Sequence, residues 1–251
     1  MMAGMESGVT ATVAGKLEHL VLADLEPGAE LPGESDLAAD LGVSRLTVRE
    51  AIKMLAGRGL LDVGRGRRAI VIEPSGVAFS DFLFTLIQND PKGLFDLVEL
   101  RMSLEVQSAT LAARRVTRAG LVALENALQG MRETTAAFNA GVDPEGALTR
   151  FHQHDVSFHE AIALSSGNRM ISYLFEAMAA PLRRAFILSR RGHEARGGSL
   201  DDTLDAHVVI LDAIRDGNPK AAGAAMRAHL EETERDIQMA LNARPPESLA
   251  G

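Results

Sequence analysis

Apolar residues recur at helical spacing along almost the whole chain. Leu17, Leu20, Val21 and Leu25 give a first helix its face, and Pro27-Gly28 ends it. Leu37 and Leu41 belong to a short second helix that stops at Gly42. Val48, Ala51, Ile52 and Leu55 fall at i, i+3, i+4 and i+7, which predicts a third helix with one buried stripe. Ser44 stands where its N-cap should be, and Gly59 follows its end. The period then shortens: Leu60-Leu61-Asp62-Val63 and Ala69-Ile70-Val71-Ile72 read as two strands around Gly64-Arg65-Gly66. Beyond Glu73-Pro74-Ser75-Gly76 the helical spacing resumes. It predicts helices over 79–89, 94–115, 118–138, 145–165, 168–191, 201–216 and 219–242. Thr117 is a start signal, and Asn218-Pro219 supplies an N-cap followed by proline at the first helical position. The expected organisation is a flexible N-terminus over 1–8, a small domain over 9–74, a linker over 75–78, an all-helical domain over 79–243 and a flexible tail over 244–251.

Composition narrows the class. The chain has 251 residues, 46% apolar and 24% charged, enough to bury a real core in one or two units. It contains no cysteine, which removes disulfides, iron–sulfur clusters and thiolate metal sites. No apolar run approaches the roughly 18 residues that span a bilayer. The opening MMAGMESGVTA has neither the basic nor the apolar stretch of a signal peptide, so the expectation is a cytoplasmic protein with no membrane partner.

Charge is unevenly spread. The chain is −8 overall, yet residues 44–68 hold seven basic side chains (Arg45, Arg49, Lys53, Arg58, Arg65, Arg67 and Arg68) against two acids, Glu50 and Asp62. A local excess of +5 on an acidic body is the electrostatic footprint of a compact nucleic-acid surface. The competing reading is a solvated basic face of no function. The third helix leaves Arg45, Thr47, Arg49 and Lys53 off its buried stripe. A short helix, a tight turn through Gly42-Val43-Ser44 and a helix with Arg and Thr in its first turns make a helix-turn-helix, whose second helix meets base edges in the major groove. Arginine suits that task because its guanidinium fork pairs both acceptors of guanine. The hairpin that carries Arg65, Gly66 and Arg67 would be a wing along phosphates or a minor groove. The expected DNA contacts are Ser44, Arg45, Thr47, Arg49, Lys53, Arg65, Gly66 and Arg67.

The stretch LPGESDLAADLGVSRLTVREAIKMLAGRGLLDVGRGRRAIV resembles the winged helix-turn-helix of the GntR family of bacterial transcriptional regulators. The landmarks are Leu31-Pro32, Glu34, Leu37-Ala38, Leu41-Gly42-Val43-Ser44-Arg45, Thr47-Val48-Arg49-Glu50-Ala51, Leu55, Gly59-Leu60-Leu61 and Gly64-x-Gly66. There are two departures. Ser35 stands where the family usually carries a DNA-touching Arg, and the wing reads Gly-Arg-Gly-Arg-Arg-Ala instead of Gly-x-Gly-Thr-Phe.

A second constellation lies in the helical domain. Asp155 and His159 are i, i+4 on one helix face. His159 shares its stripe with Val156, Ile162 and Ala163, His207 with Leu211 and Ile214, and His229 with Ala222, Ala225, Met226 and Ile237. Three imidazoles and a carboxylate directed inward from three helices form an N₃O set suited to a divalent ion. Taken singly, each histidine is better explained as a satisfied core residue than as a ligand. His152, seven residues before His159, reads as a rim residue or as a partner behind the ligands, outside the ligand set itself, while His19, His154 and His193 read as surface residues.

Residues 79–243 resemble the all-helical FCD effector domain that accompanies FadR-type members of the same family, through Asp155-Val156-Ser157-Phe158-His159 and AHVVILDAIRDGNPKAAGAAMRAHL. The resemblance implies a mainly α protein, a winged helix-turn-helix followed by an antiparallel helical bundle. It also implies a homodimer on operator DNA and a divalent metal at Asp155, His159, His207 and His229, with zinc the first choice and nickel or another divalent ion the alternative. A small carboxylate effector would bind at or near the ion. Arg101, in Glu99-Leu100-Arg101-x-x-Leu104-Glu105, matches an inward arginine that pairs such a carboxylate, and its alternative is a structural salt bridge to Glu105. Asn168, in Ser166-Gly167-Asn168, matches a cavity position, and its alternative is a helix cap. The function expected is a ligand-controlled transcription factor, with repression the better guess. A metalloregulator that senses the ion itself is the alternative. A metalloenzyme is the remote one, since no HExxH, nucleophile elbow or phosphate-cradling loop occurs.

Overall fold

The structure, a computed structural model, describes residues 2–73, 77–87 and 91–243. The chain divides into two compact units between Ala78 and Phe79.

In the first unit, α1 (Met2–Ala23) precedes α2 (Glu34–Leu41), α3 (Arg45–Gly57) and an antiparallel pair, β1 (Leu61–Asp62) and β2 (Ile70–Val71). The α1 helix is longer than its sequence signal, covering positions 2–8 that were expected to lie outside any element. Met, Ala and Glu in that stretch favour helix, and Gly4 and Gly8 cost it only about 1 kcal/mol each. The predicted stripe of α3 is buried: Val48, Ala51, Ile52 and Leu55 pack with Val13, Ala14, Leu17 and Val21 of α1 and Leu37 and Ala38 of α2. Ser44 caps α3, its hydroxyl accepting from Thr47 N at 3.1 Å. The helix ends before Gly59, whose φ of +73° is the left-handed conformation that glycine adopts without cost. Register pairs Leu61 with Val71 and Asp62 with Ile70. A third extended segment joins the other edge of β2, with Val71 N bonding to Ala29 O and Leu31 N to Ala69 O, each at 2.8 Å. Proline at 27 and 32 hid that segment from the period-2 pattern.

The second unit consists of α4 (Val77–Ile87), α5 (Pro91–Arg115), α6 (Arg118–Asn139), α7 (Pro144–Ser165), α8 (Arg169–Ala195), α9 (Leu200–Arg215) and α10 (Pro219–Asn242). These match the predicted helices to within a few residues. The linker expected over 75–78 is part helix, since α4 starts at Val77; positions 74–76 and the tail 244–251 lie outside the described residues. Thr117 caps α6, and Asn218 caps α10 ahead of Pro219, as the start signals require. Ser199 and Asp202 form a reciprocal capping box at the start of α9. One apolar cluster joins α5, α6, α7, α9 and α10 around Leu128, Met131, Phe151, Phe158, Ile210 and Met226. A second lies along α5 and α8, around Leu94, Val98, Phe175, Met178 and Leu182, with Ile237 of α10. The inner faces of α5, α7, α9 and α10 therefore converge, and polar groups on those faces are forced into contact.

Candidate metal centre and nucleic-acid interface

Asp155 and His159 on α7, His207 on α9 and His229 on α10 converge as their spacing predicted. Each offers one ligand atom, and these atoms all lie within 4.8 Å of one another. His207 Nε2 is 3.0 Å from Asp155 Oδ1 and 3.3 Å from His159 Nε2, and His159 Nε2 is 3.9 Å from Asp155 Oδ1. An ion with bonds of about 2.1 Å to four tetrahedral donors separates them by about 3.4 Å, so this spacing suits a first-row divalent cation.

The far nitrogens explain why the near ones point inward. His207 Nδ1 lies 2.7 Å from the carbonyl oxygen of Thr203, one turn earlier on α9, which makes Nδ1 the protonated nitrogen and leaves Nε2 as a lone-pair donor. His159 Nδ1 is in close contact with the carboxylate oxygen Oε2 of Glu105, an ion-pair contact whose angle is not that of a formed hydrogen bond. Burial, together with the adjacent His207 and His159, pushes the His229 pKa well below its ordinary value, so this imidazole is a neutral donor at pH 7. Burial alone would raise the Asp155 pKa. Without a cation in place, protons on the imidazoles that face it, His207 first, outweigh that and hold the carboxyl well below its usual range. Three ring nitrogens facing an ionised carboxylate form a donor set that a divalent cation completes by taking the place of their protons.

Sequence reasoning named Glu105 only as the alternative partner of Arg101 and missed its contact with His159. Glu105 is 2% exposed, accepts from Arg101 Nε at 2.5 Å through Oε1, and turns Oε2 to His159. Burial opposes its ionisation, but Arg101 and His159 outweigh it and hold its pKa at about 2. The available signal was its position on the buried stripe of Val98, Arg101, Ala109 and Ala112. Arg101 makes the structural salt bridge to Glu105 that was its alternative reading, and it also lines the cavity beside Asp155, His159 and His229. That cavity is walled by Phe151, Phe175 and Phe186. His152 borders it, stacked on Phe186 at 4.5 Å, and its pKa is lowered chiefly by burial.

Three placements differ from expectation. His193 is not a surface residue: it lines the cavity with Nδ1 3.3 Å from Asp236 Oδ2, because Gly198 lets the α8–α9 loop fold over its ring. His154 is half-buried against Gly130, where a Cβ would come within 2.4 Å of the imidazole. His19 is exposed, as expected. Asn168 is not brought to the cavity; it is exposed and caps α8, Oδ1 accepting from Met170 N at 3.1 Å.

In the first unit, Arg45 is exposed at the first turn of α3 and makes no ion pair among the described residues. Thr47 is half-buried, its hydroxyl 2.8 Å from that of Ser44. Arg49, Lys53, Arg65, Gly66 and Arg67 line one groove between α3 and the hairpin, and Gly66 has a φ of +77° at the hairpin tip. Several of these cations already hold an acid. Arg49 meets Glu34 in a fork, Nη2 to Oε2 at 2.6 Å and Nε to Oε1 at 3.0 Å, and this bond keeps the Glu34 pKa below its usual value. Lys53 pairs with Glu50 at 2.9 Å and Arg67 with Asp62 at 2.5 Å. Such pairs, largely in water, contribute up to about 1 kcal/mol and yield readily to phosphate.

Comparison with known proteins agrees with both units. Residues 9–71 match the family described as bacterial regulatory proteins, gntR family, and residues 96–232 match the FCD domain. The Uxu operon transcriptional regulator of Escherichia coli K12 is 33% identical over 213 residues, 84% of this chain and 79% of its own length. The Glc operon transcriptional activator of the same strain is 28% identical over 91% of this chain and 89% of its own length. Among solved structures, Streptococcus agalactiae GntR superposes with a TM-score of 0.69 at 33% identity, covering 90% of this chain and 99% of that one. These relatives are regulators and not enzymes. With its helix-turn-helix and its helical FCD domain, the chain belongs to the GntR family of DNA-binding transcriptional regulators, in the FadR-type group.

Proposed function

We propose that this regulator binds operator DNA as a homodimer and that a small organic acid, bound at or beside a divalent ion in the helical domain, sets its operator affinity. The ion is held by Asp155, His159, His207 and His229, with zinc the first choice. The observation that carries this reading is the convergence of those four ligand atoms within 4.8 Å beside the buried guanidinium of Arg101. When bound, the ion supplies a Lewis-acid anchor for a carboxylate or hydroxyl oxygen, and Arg101 offers the acid a charge-assisted partner. The apolar ring wall excludes water and strengthens both contacts.

On the DNA side, Arg45 reads a base edge at the first turn of α3. Ser44, Thr47, Arg49, Lys53, Arg65, Gly66 and Arg67 hold phosphates and the groove walls. The acid acts through its different affinity for DNA-competent and incompetent arrangements, a coupling of about 1–3 kcal/mol. Repression is the direction proposed; curated relatives include a galactonate operon repressor as well as the Glc operon activator.

Calorimetric titration of zinc-loaded protein with lactate and galactonate, alongside operator binding by anisotropy, tests this reading. An acid that binds the loaded protein and shifts operator affinity five- to 150-fold supports it. If operator affinity follows zinc alone and no acid binds, the protein is a metalloregulator. His207→Ala should lose the ion by elemental analysis; full occupancy would remove His207 from the ligand set.

A further inference from the structure

Resting on the metal reading above, we propose that Glu105 is a positioning residue joining the cavity's buried cation to the metal-facing imidazole of His159. Its two carboxylate oxygens are divided between two donors from different helices. Oε1 accepts from Arg101 Nε on α5, 2.5 Å away, and Oε2 faces His159 Nδ1 on α7. All three side chains are buried: Arg101 is 6% exposed, Glu105 2% and His159 2%. Bulk water therefore screens neither contact strongly.

The consequence is chemical. A carboxylate at Nδ1 fixes the His159 tautomer and makes Nε2 a stronger donor to a cation. His207 has only the neutral carbonyl of Thr203 in that position, so the two imidazoles are held unequally. Arg101 in turn neutralises Glu105 and keeps it in place. An anion drawn to Arg101 and an ion drawn to His159 thus act on one carboxylate, and Glu105 is the shared non-covalent partner through which each senses the other.

Glu105→Gln tests this, because a carboxamide has one acceptor oxygen and can serve Arg101 or His159 but not both. Full-length protein stripped of metal is titrated with Zn²⁺ against a chromophoric chelator, for the wild type, Glu105→Gln, Arg101→Ala and the double variant. The expected result is a 10–100-fold weaker Zn²⁺ affinity in Glu105→Gln. The Arg101→Ala effect should also differ at least threefold between the wild-type and Glu105→Gln backgrounds, the signature of neighbours sharing a partner. Thermal melts of metal-free protein separate this from a structural role: a lowered midpoint with unchanged Zn²⁺ affinity overturns the proposal, and so does strict additivity of the two substitutions. Should Glu105→Gln fail to fold, ¹⁵N NMR of the wild-type histidines decides. Nδ1-protonated His159 in the zinc-loaded protein supports the proposal, and the Nε2-protonated tautomer overturns it. Wild-type protein that takes up no zinc would overturn the metal reading itself, whereas equal affinities in wild type and Glu105→Gln would overturn this inference alone.

Discussion

Both units contain an arginine held by a glutamate, and the two pairs differ in their access to water. Arg49 meets Glu34 with 49% and 30% of the side chains exposed, whereas Arg101 meets Glu105 with 7% and 2% exposed. The exposed pair gains little from its Coulomb attraction and exchanges its acid for a phosphate at small cost. In the buried pair, removing one partner strands the other without solvation, a loss of about 3–5 kcal/mol. The first unit therefore keeps its charges available, and the second commits them to a fixed geometry. A DNA-reading surface needs the former and an ion site the latter.

The largest expected effect probes the rigidity of the second unit. Gly192 of α8 lies so close to α10 that a Cβ would stand 1.7 Å from the Asp236 carbonyl oxygen. Gly192→Ala should force the two helices apart and cost at least about 3 kcal/mol in chemical denaturation; a loss below 1 kcal/mol would show the packing to be compliant.

Acid should then distinguish the units. The folded pKa of His229 lies well below the ordinary 6.5, so the unfolded chain binds a proton that the folded one does not, and stability falls as pH drops below 6.5. Glu105, at about 2 when folded against 4.5, adds a second loss between pH 4.5 and 2, on the order of 3 kcal/mol. Denaturation of metal-free protein followed across this range should show the second unit weakening first. Equal sensitivity of the two units would erase the contrast.

Arg45→Ala should weaken operator binding by about 1–3 kcal/mol, or roughly 5–150-fold, while leaving the fold and the metal content intact. Unchanged affinity would remove Arg45 from the reading surface. The smallest effect is expected at the α3 cap. Ser44→Ala should cost about 1 kcal/mol of stability in the first unit, measured by urea denaturation, and nothing in the second.

Much of this was legible from residue order because it is written locally. The α3 stripe, Ser44, Thr117 and Asn218-Pro219 each act within one or two helical turns, and spacing reports them directly. The convergence of Asp155, His159, His207 and His229 was legible for a related reason: each lies on the apolar stripe of its own helix, and stripes must meet. The contact of Glu105 with His159 escaped because an i, i+4 Arg–Glu pair looks the same on a wet face as on a dry one. His193 escaped because its burial depends on the α8–α9 loop closing over it at Gly198. The extended segment at Ala29–Leu31 is defined by its partner strand and not by its own pattern.

The central claim is that a divalent ion sits among Asp155, His159, His207 and His229. Anomalous diffraction at a transition-metal edge, from crystals of protein purified without chelator, tests it most directly. The account predicts one peak per chain, within about 2.0–2.2 Å of those four side chains. A cavity without a peak, or a peak confined to the neighbouring His193, Glu232 and Asp236 group, would contradict it.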